Sequence, residues 1–501
     1  MVGQEQDKKV RRKIIVIGAG IGGLSSALKL AHAGHDVHVI DAASGPGGKM
    51  RTHPGSTGPI DIGPTVLTLL PVFERLFRSV GEDINDHVEL AREPILARHW
   101  WPDGTMLDLH ENFEASHAEI QNVFGVAIGK EFEKFYHDTR ALFECFDLPV
   151  MQNARPNLRH MMSAVFKKPQ VIPKIRPFST LESSLSSYFK DPRLQQLFGR
   201  YASYIGGAPQ TTPALLSLIW QAEAKGVWTI KGGMNQLARA IEKLCIARGA
   251  EFTYNKAVVE LRRSRDEIDT VVLENGSLIY ADAVIFNGDP RAMPMGKLGN
   301  DVRHIAQNTN SEKRSLSAYV WGFDARLDAA NLAHHNVFFA DRPNSEFDAI
   351  QKGEMPTDPT IYICAQDRGI NKPTPDVDRL EIILNAPPLS KRAPKPEDFD
   401  RCKAITFDRL QRFGLTFQRE LCREHLTMPE DFARLFPASD GSLYGQSPEG
   451  MMATLKRPQC VTQIKNLFLV GGGIHPGAGV PMAALCGQLA VEEMTRRQIL
   501  T

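Results

Sequence analysis

A bounded apolar run, Ile14 to Ile17, leads directly into the glycine-rich stretch Gly18-Ala19-Gly20-Ile21-Gly22-Gly23. A short β-branched run of this kind predicts a strand buried on both faces of a parallel sheet. Leu24, Ala27, Leu28 and Ala31 then recur at helical spacing until Gly34, and Val37 to Ile40 predicts a second strand ending at Asp41. The pattern returns further on. Gly232-Gly233 introduces Met234, Leu237, Ile241, Leu244 and Arg248 at helical spacing, Gly249 stops them, and short strands follow. Asn275-Gly276 predicts a hairpin turn there, before the segment ends at Asn287-Gly288-Asp289-Pro290. Near the C-terminus, Asn466 to Val470 predicts a strand entering the glycine-rich run 471–482, with a helix from there towards Arg497. Pro387 to Pro396 reads as a surface loop.

The glycines of the first turn each have a mechanical role. Gly18 permits the tight turn, Gly20 lets the backbone approach a pyrophosphate, and Gly23 brings helix and sheet close, with Gly22 completing the run. Phosphate then sits on the helix N-terminus. Asp41 is placed to accept hydrogen bonds from an adenosine ribose. The agreement of strand, glycines, helix period and terminal acid marks a nucleotide fold. No second complete GxGxxG occurs, so a separate nicotinamide-nucleotide domain is not indicated.

Composition bounds the rest. A chain of 501 residues with 42% hydrophobic residues predicts two or three domains. Lysine plus arginine nearly equal aspartate plus glutamate, 59 against 58, which gives no support to nucleic-acid binding. The seven cysteines are dispersed, with no CxxC, so neither a redox disulfide nor a zinc site is proposed, and a reduced, cytoplasmic compartment fits. The apolar stretch after Arg11, Arg12 and Lys13 is interrupted by glycines and polarised by Lys29, His32 and His35, which argues against a membrane span. One segment stands apart. From Leu148 to Leu181 there are six lysines and arginines and no acidic residue, interleaved with apolar side chains, while Pro169, Pro173 and Pro177 prevent a continuous helix. This suits peripheral docking on the inner face of a membrane. A solvated basic loop is the other reading.

Gly47-Gly48-Lys49, with Thr52 three residues on, resembles the second glycine pair of the amine oxidase and carotenoid desaturase superfamily; the basic residue usual two places before it is Gly45 here. The resemblance implies FAD. It also implies that the pattern Asn255-x-x-Val258-x-x-Leu261 places a backbone contact to adenine at Val258. The C-terminal run resembles the signature of bacterial phytoene-type desaturases, in which Gly472, Gly473, Val480 and Met482 would surround the flavin. Ile474 departs from the small or hydroxylated residue usual there. The expected fold is α/β: a discontinuous Rossmann-like FAD-binding domain from 1–65, 225–295 and 456–501. An α+β substrate domain is expected from 66–224 and 296–455, with 148–181 its membrane-docking segment.

Within that superfamily, Asp61 to Leu67, Ala97 to Gly104, Lys190 to Gly207, Thr212 to Trp228, His334 to Phe339, Ile361 to Arg368 and Ser447 to Gly450 resemble the 1-hydroxycarotenoid 3,4-desaturase family, also called methoxyneurosporene dehydrogenase. The resemblance implies insertion of a C3–C4 double bond into acyclic 1-hydroxy or 1-methoxy carotenoids such as 1-hydroxyneurosporene, in carotenoid biosynthesis and photosynthesis. Hydride loss from carbon 4 to a flavin would leave a cation spread over the polyene, so carbon 3 loses its proton readily and no strong base is expected. The protein must supply a long apolar tunnel and one polar feature near the oxygenated end, for which Tyr201, Tyr204, Gln221 and His475 are candidates. His475 is also the one candidate for a catalytic role. Trp100 and Trp101 would line the tunnel or pack as core, and Leu215, Leu216, Leu218, Ile219 and Trp220 read more readily as core. His334 and His335 are adjacent, point different ways on a strand and are poor candidates for one metal site, so no metal is expected. Three other readings remain: a phytoene-type desaturase, another FAD oxidase of the superfamily, and a prenyl-lipid binding escort on the same fold.

Overall fold

The computed structural model describes residues 10–328, 331–369, 375–450 and 453–500. Five parallel strands lie in the order Leu467–Leu469, Ala283–Phe286, Lys13–Ile17, Asp36–Ile40 and Glu251–Thr253. The run Ile14 to Val16 is fully buried, as an unbroken apolar strand in a covered parallel sheet must be. The helix Ile21–His32 follows, its Leu24, Ala27, Leu28 and Ala31 all buried, and it packs against the helices Asn235–Ala247 and Val480–Arg496. Two glycines make that packing possible. A Cβ on Gly23 would lie 2.2 Å from the Gly18 carbonyl oxygen, and one on Gly487 would lie 2.2 Å from the Gly22 carbonyl oxygen. Beside this sheet stands a three-stranded antiparallel one, Val258–Ser264, Glu267–Leu273 and Leu278–Tyr280, whose second turn carries Gly276 at φ +83°.

A second large sheet orders Thr416–Gln418, Ser317–Asp328, Asp378–Ala386, Ile361–Ala365, His335–Phe338, Ile95–Trp100 and Met106–His110. Against it packs an aromatic layer in which Phe132, Phe135, Phe189, Phe198 and Trp220 are in mutual ring contact. Trp101 belongs to this layer and Trp100 to the apolar cluster around Phe338 on the other face of the sheet, and neither lines the cavity described below. Trp100 stacks on Phe338 at 5.7 Å, and Trp101 stacks on Phe339 at 4.9 Å while its indole N–H donates to Gln196. The expectation for the histidine pair is also corrected. His334 precedes the strand rather than lying on it, so the two rings meet at 4.6 Å, and both sit with Cys364, their ligand atoms all within 4.8 Å. His334 Nδ1 pairs with the Arg368 carbonyl, His335 Nδ1 with the Tyr362 hydroxyl, and Cys364 Sγ with His334 Nε2.

The segment 148–181 forms no continuous helix, as expected. It contains the helix Leu158–Lys167, a single turn at Pro169–Val171 and another at Ile172–Ile175. Its apolar side chains are unusually open: Phe178 is 94% exposed, Phe166 73% and Leu148 71%. Its cations divide into two groups. Lys174 pairs with Asp138, Arg155 with Glu493, Lys168 bonds the Glu144 carbonyl, and Arg176 lies over Tyr188 and donates to Ser187. Arg159 and Lys167 are exposed and make no ion pair among the described residues. Among the described residues, no helix is long and apolar enough to cross a membrane.

Candidate active site

One cavity of about 1270 Å³ begins at the glycine turns of the parallel sheet and extends between the two sheets. Its first end is built by local backbone geometry. Gly18 at φ +101° turns the chain out of the first strand and donates to Ile40 O at 2.7 Å. Gly20 forms a parallel bridge to Gly47, whose N–H donates to Ala19 O at 2.9 Å, so the two glycine loops are knitted into one cradle. Asp41 fixes the rim, its Oδ2 accepting from Ala19 N at 2.6 Å and its Oδ1 from Ala43 N at 2.7 Å. The segment before Val258 is tied to the same rim, with Lys256 N donating to Asp41 O. Gly18, Gly20, Gly22, Asp41, Gly47, Gly48, Lys49, Val258, Gly472, Gly473, Val480 and Met482 all line this cavity; Gly23 lies behind it.

Asn287 was not singled out by its sequence, where it marks only the end of a segment. Its N–H donates to Ile17 O at 2.8 Å and its side-chain amide to Gly18 O at 3.0 Å. Any Cβ on Gly20, Gly22 or Gly471 would come within 3 Å of that amide, so Asn287 is the wedge around which three glycine turns close.

Deeper in, positive charge accumulates. Lys49 donates to the Leu443 carbonyl, Arg457 donates to Gly472 O at 2.9 Å, and Arg314 pairs with Asp289. Burial, and the neighbouring guanidiniums of Arg314 and Arg457, lower the Lys49 ammonium to about 8 against the opposing pull of Asp289. Burial and Arg314 likewise lower Arg457 to about 10. Arg51 also lines the cavity, its guanidinium over the Phe432 ring and its buried Nε and Nη2 without a hydrogen-bond partner among the described residues. Cations gathered in this way favour an anionic ligand.

The chain is 46% identical over 485 residues to a hydroxyneurosporene desaturase of Cereibacter sphaeroides, covering 97% of this chain and 98% of that one. It is 44% identical to a hydroxyneurosporene desaturase of Rhodobacter capsulatus, again over 97% and 98%. Residues 21–314 match the flavin-containing amine oxidoreductases. The chain belongs to that family, among its carotenoid desaturases. A solved structure of cyclohexylamine oxidase from Brevibacterium oxydans shares the fold, with a TM-score of 0.58 at 16% identity over 97% of this chain and 100% of that one.

The enzyme is an oxidoreductase and its cofactor is FAD. The cradle fits that group: glycine backbone wherever a Cβ would obstruct a close approach, and beside it a group of buried cations, of which Arg51 keeps two nitrogens without a hydrogen bond among the described residues.

Of the candidates for the substrate end, Tyr201 and Tyr204 line the cavity. Gln221 does not: its amide donates to Thr139 Oγ1 at 2.9 Å and to Tyr136 O at 3.2 Å, inside the aromatic layer. Leu215, Leu218 and Ile219 pack in a core cluster with Leu142, Phe143 and Phe146, in keeping with their reading as core, but together with Leu216 they also line the cavity, and Trp220 alone of that run joins the aromatic layer. His475 is corrected as well. It is buried outside the cavity lining, with Nε2 bonded to Val150 O at 2.9 Å, and so pins the C-terminal glycine run to the segment 148–181.

Burial lowers the His475 imidazole from 6.5 to about 4. Its folded value is depressed, so the unfolded chain binds this proton first: the contribution to stability is complete above about 6.5 and is lost as pH falls towards 4. His475→Gln is expected to remove up to about 3 kcal/mol of acid sensitivity over that range and to change turnover less than about tenfold. Melting temperatures at about pH 5 and about pH 7.5 read the first, initial rates the second; an unaltered acid limb would contradict the assignment.

Proposed function

We propose that this enzyme introduces the C3–C4 double bond into acyclic 1-hydroxy or 1-methoxy carotenoids, 1-hydroxyneurosporene among them. The observation that carries the reading is the continuity of the cavity: from the glycine cradle it runs on past Leu215, Leu218 and Ile219 to Phe143, Phe146 and Met161, an apolar channel suited to a polyene. FAD, when bound, supplies the hydride acceptor that a substrate without acidic carbons requires. The protein's own part is to bind, orient and keep water away. The aliphatic wall holds the chain, and Tyr201 and Tyr204 give its oxygenated end a polar neighbour. The two-domain division expected from the sequence, with the nucleotide domain assembled from three stretches, is supported by the membership of the parallel sheet.

The channel's far wall belongs to the open segment: Val150, Met151 and Met161 face the cavity, while Leu148, Leu158, Met162 and Phe166 are exposed beside them. This supports entry of substrate from a lipid phase through a peripherally docked mouth.

Anaerobic addition of 1-hydroxyneurosporene should bleach the flavin absorbance of the purified enzyme at a rate matching turnover; no bleaching would remove the reading. At the other end of the cavity, Asp41→Ala leaves two backbone N–H groups without their acceptor and should weaken FAD by about 1 to 3 kcal/mol. Unchanged affinity in a flavin titration would take Asp41 out of the cofactor site.

A further inference from the structure

The helix Pro192–Gly199 gives way at Arg200 to the tighter turn Arg200–Ile205, which swings Arg200, Tyr201 and Tyr204 towards the cavity. Arg200 Nη1 donates to the Tyr204 hydroxyl at 2.8 Å, and its guanidinium stacks over the Tyr204 ring at 5.0 Å and the Tyr362 ring at 5.4 Å. The Tyr201 hydroxyl donates to Glu223 at 2.6 Å, and the same carboxylate stands near enough to Tyr204 to add to burial in raising its phenol above the usual range. Arg200, Tyr201, Tyr204 and Glu223 thus form one polar group in a cavity whose lining also includes Leu215, Leu218 and Ile219.

Such a group is costly in a channel for hydrocarbon. Buried charges and hydroxyls lose hydration, and a polyene returns nothing for it. Of five guanidinium N–H groups, the described residues engage one, through Tyr204. Arg200 borders this cavity and a smaller one beside Glu346 and Asn385, and its remaining donors are uncommitted among the described residues.

Its position also suits the reaction. Carbon 1 is three bonds from carbon 4, about 4 Å away, so a group that reads the substituent on carbon 1 must stand close to the reacting carbons. Arg200 is linked back to the cradle within a few contacts: Tyr362, under its guanidinium, bonds Thr65 Oγ1 at 2.9 Å. Thr65 lies two residues beyond Gly63, where a Cβ would be 2.0 Å from the Lys49 carbonyl oxygen.

We propose that Arg200, oriented by Tyr204 and Glu223, donates a hydrogen bond to the oxygen on carbon 1 of the substrate and thereby makes the enzyme select oxygenated chain ends over plain hydrocarbon ends; this rests on the function proposed above. A donor reads hydroxyl and methoxy oxygens alike, since both accept. A carboxylate alone would read only the hydroxyl. Arg200 is a specificity residue, and Tyr204 and Glu223 position it.

The test compares holoenzymes of wild type, Arg200→Met, Arg200→Lys and Tyr204→Phe with 1-hydroxyneurosporene, its 1-methoxy analogue and neurosporene. The readouts are kcat/KM and carotenoid affinity, the latter by quenching of protein fluorescence. Sites built to bond a substrate hydroxyl discriminate by several orders of magnitude, and a guanidinium already engaged by Tyr204 by less, so Arg200→Met should lower the preference over neurosporene about 100-fold for both oxygenated substrates. Affinity should fall in parallel, and Arg200→Lys should restore part of both. Should Arg200→Met fail to hold flavin, Tyr204→Phe decides the matter: about a tenfold loss of preference supports the proposal, and none overturns it. An unchanged preference in flavin-bound Arg200→Met overturns it while leaving the 3,4-desaturase reading in place. Wild-type enzyme that converts phytoene and not 1-hydroxyneurosporene overturns both.

Discussion

Gly20→Val is expected to abolish flavin binding. A Cβ at this position would lie 2.9 Å from the Asn287 side-chain amide nitrogen, the atom that donates to Gly18 O, and 3.9 Å from the Gly48 Cα. Valine adds two further methyls to that Cβ, and the helix that begins at Ile21 leaves them no route but into Asn287 or into the mouth of the cradle. Either outcome removes a requirement of the cofactor. If the methyls displace Asn287, the glycine turns lose their common wedge; if they enter the cradle, they occupy the space where backbone must meet phosphate. The combined cost should exceed about 4 kcal/mol, or about a thousandfold in affinity. Flavin absorbance per polypeptide in the purified variant reads this directly. Stoichiometric FAD in Gly20→Val would contradict the assignment of the cradle, and a folded apoprotein, checked by circular dichroism, would support it.

The second large effect concerns the open segment. Replacing Leu158, Phe166, Ile172 and Phe178 together by serine removes four of its exposed apolar side chains without touching the core, since none of them is buried. Full burial of such a side chain is worth roughly 1.5 to 3 kcal/mol, and shallow insertion about half of that. The four should therefore lower binding to anionic vesicles by about 3 to 6 kcal/mol, at least a hundredfold. Charge should matter selectively. Arg159→Gln with Lys167→Gln should weaken binding by about 1 kcal/mol each at low salt. Lys174→Gln should matter less to lipid, because Lys174 is already committed to Asp138. Vesicle co-sedimentation at low and high salt measures all three variants. Serine substitutions that leave lipid binding intact would return the segment to a structural cover.

The parts of the fold written in local pattern were legible. Ile14 to Ile17, the turn at Gly18 and the helix period from Leu24 to Ala31 depend on neighbours within a few residues, and each found its element. The Asn275-Gly276 turn did so too. Sequence could not reveal what distant partners decide. Trp100 was ambiguous because its face is set by Phe338, which pairs with it across a parallel strand contact from more than 200 residues away. Leu215 and Trp220 belong to one apolar run, yet the turn Ala214–Trp220 divides it between cavity and aromatic layer. His334 and His335 converge because the first lies just outside the strand, and a one-residue boundary decides that. Arg200 carries no local sign of burial, since an arginine after an amphipathic helix reads as surface until the turn that redirects it is known. Asn287 and Arg457 act on glycine turns distant in the chain, so only the assembled sheet brings them into view.

On the proposed function, the cradle and the apolar channel together desaturate an oxygenated acyclic carotenoid at carbons 3 and 4. The most direct measurement incubates the FAD-loaded enzyme with phytoene, neurosporene and 1-hydroxyneurosporene in parallel vesicle suspensions and identifies the products by chromatography and mass. 1-Hydroxyneurosporene is expected to lose two hydrogens, with a red shift of its polyene spectrum by one conjugated double bond, while phytoene is untouched. Conversion of phytoene with 1-hydroxyneurosporene left unchanged would contradict it.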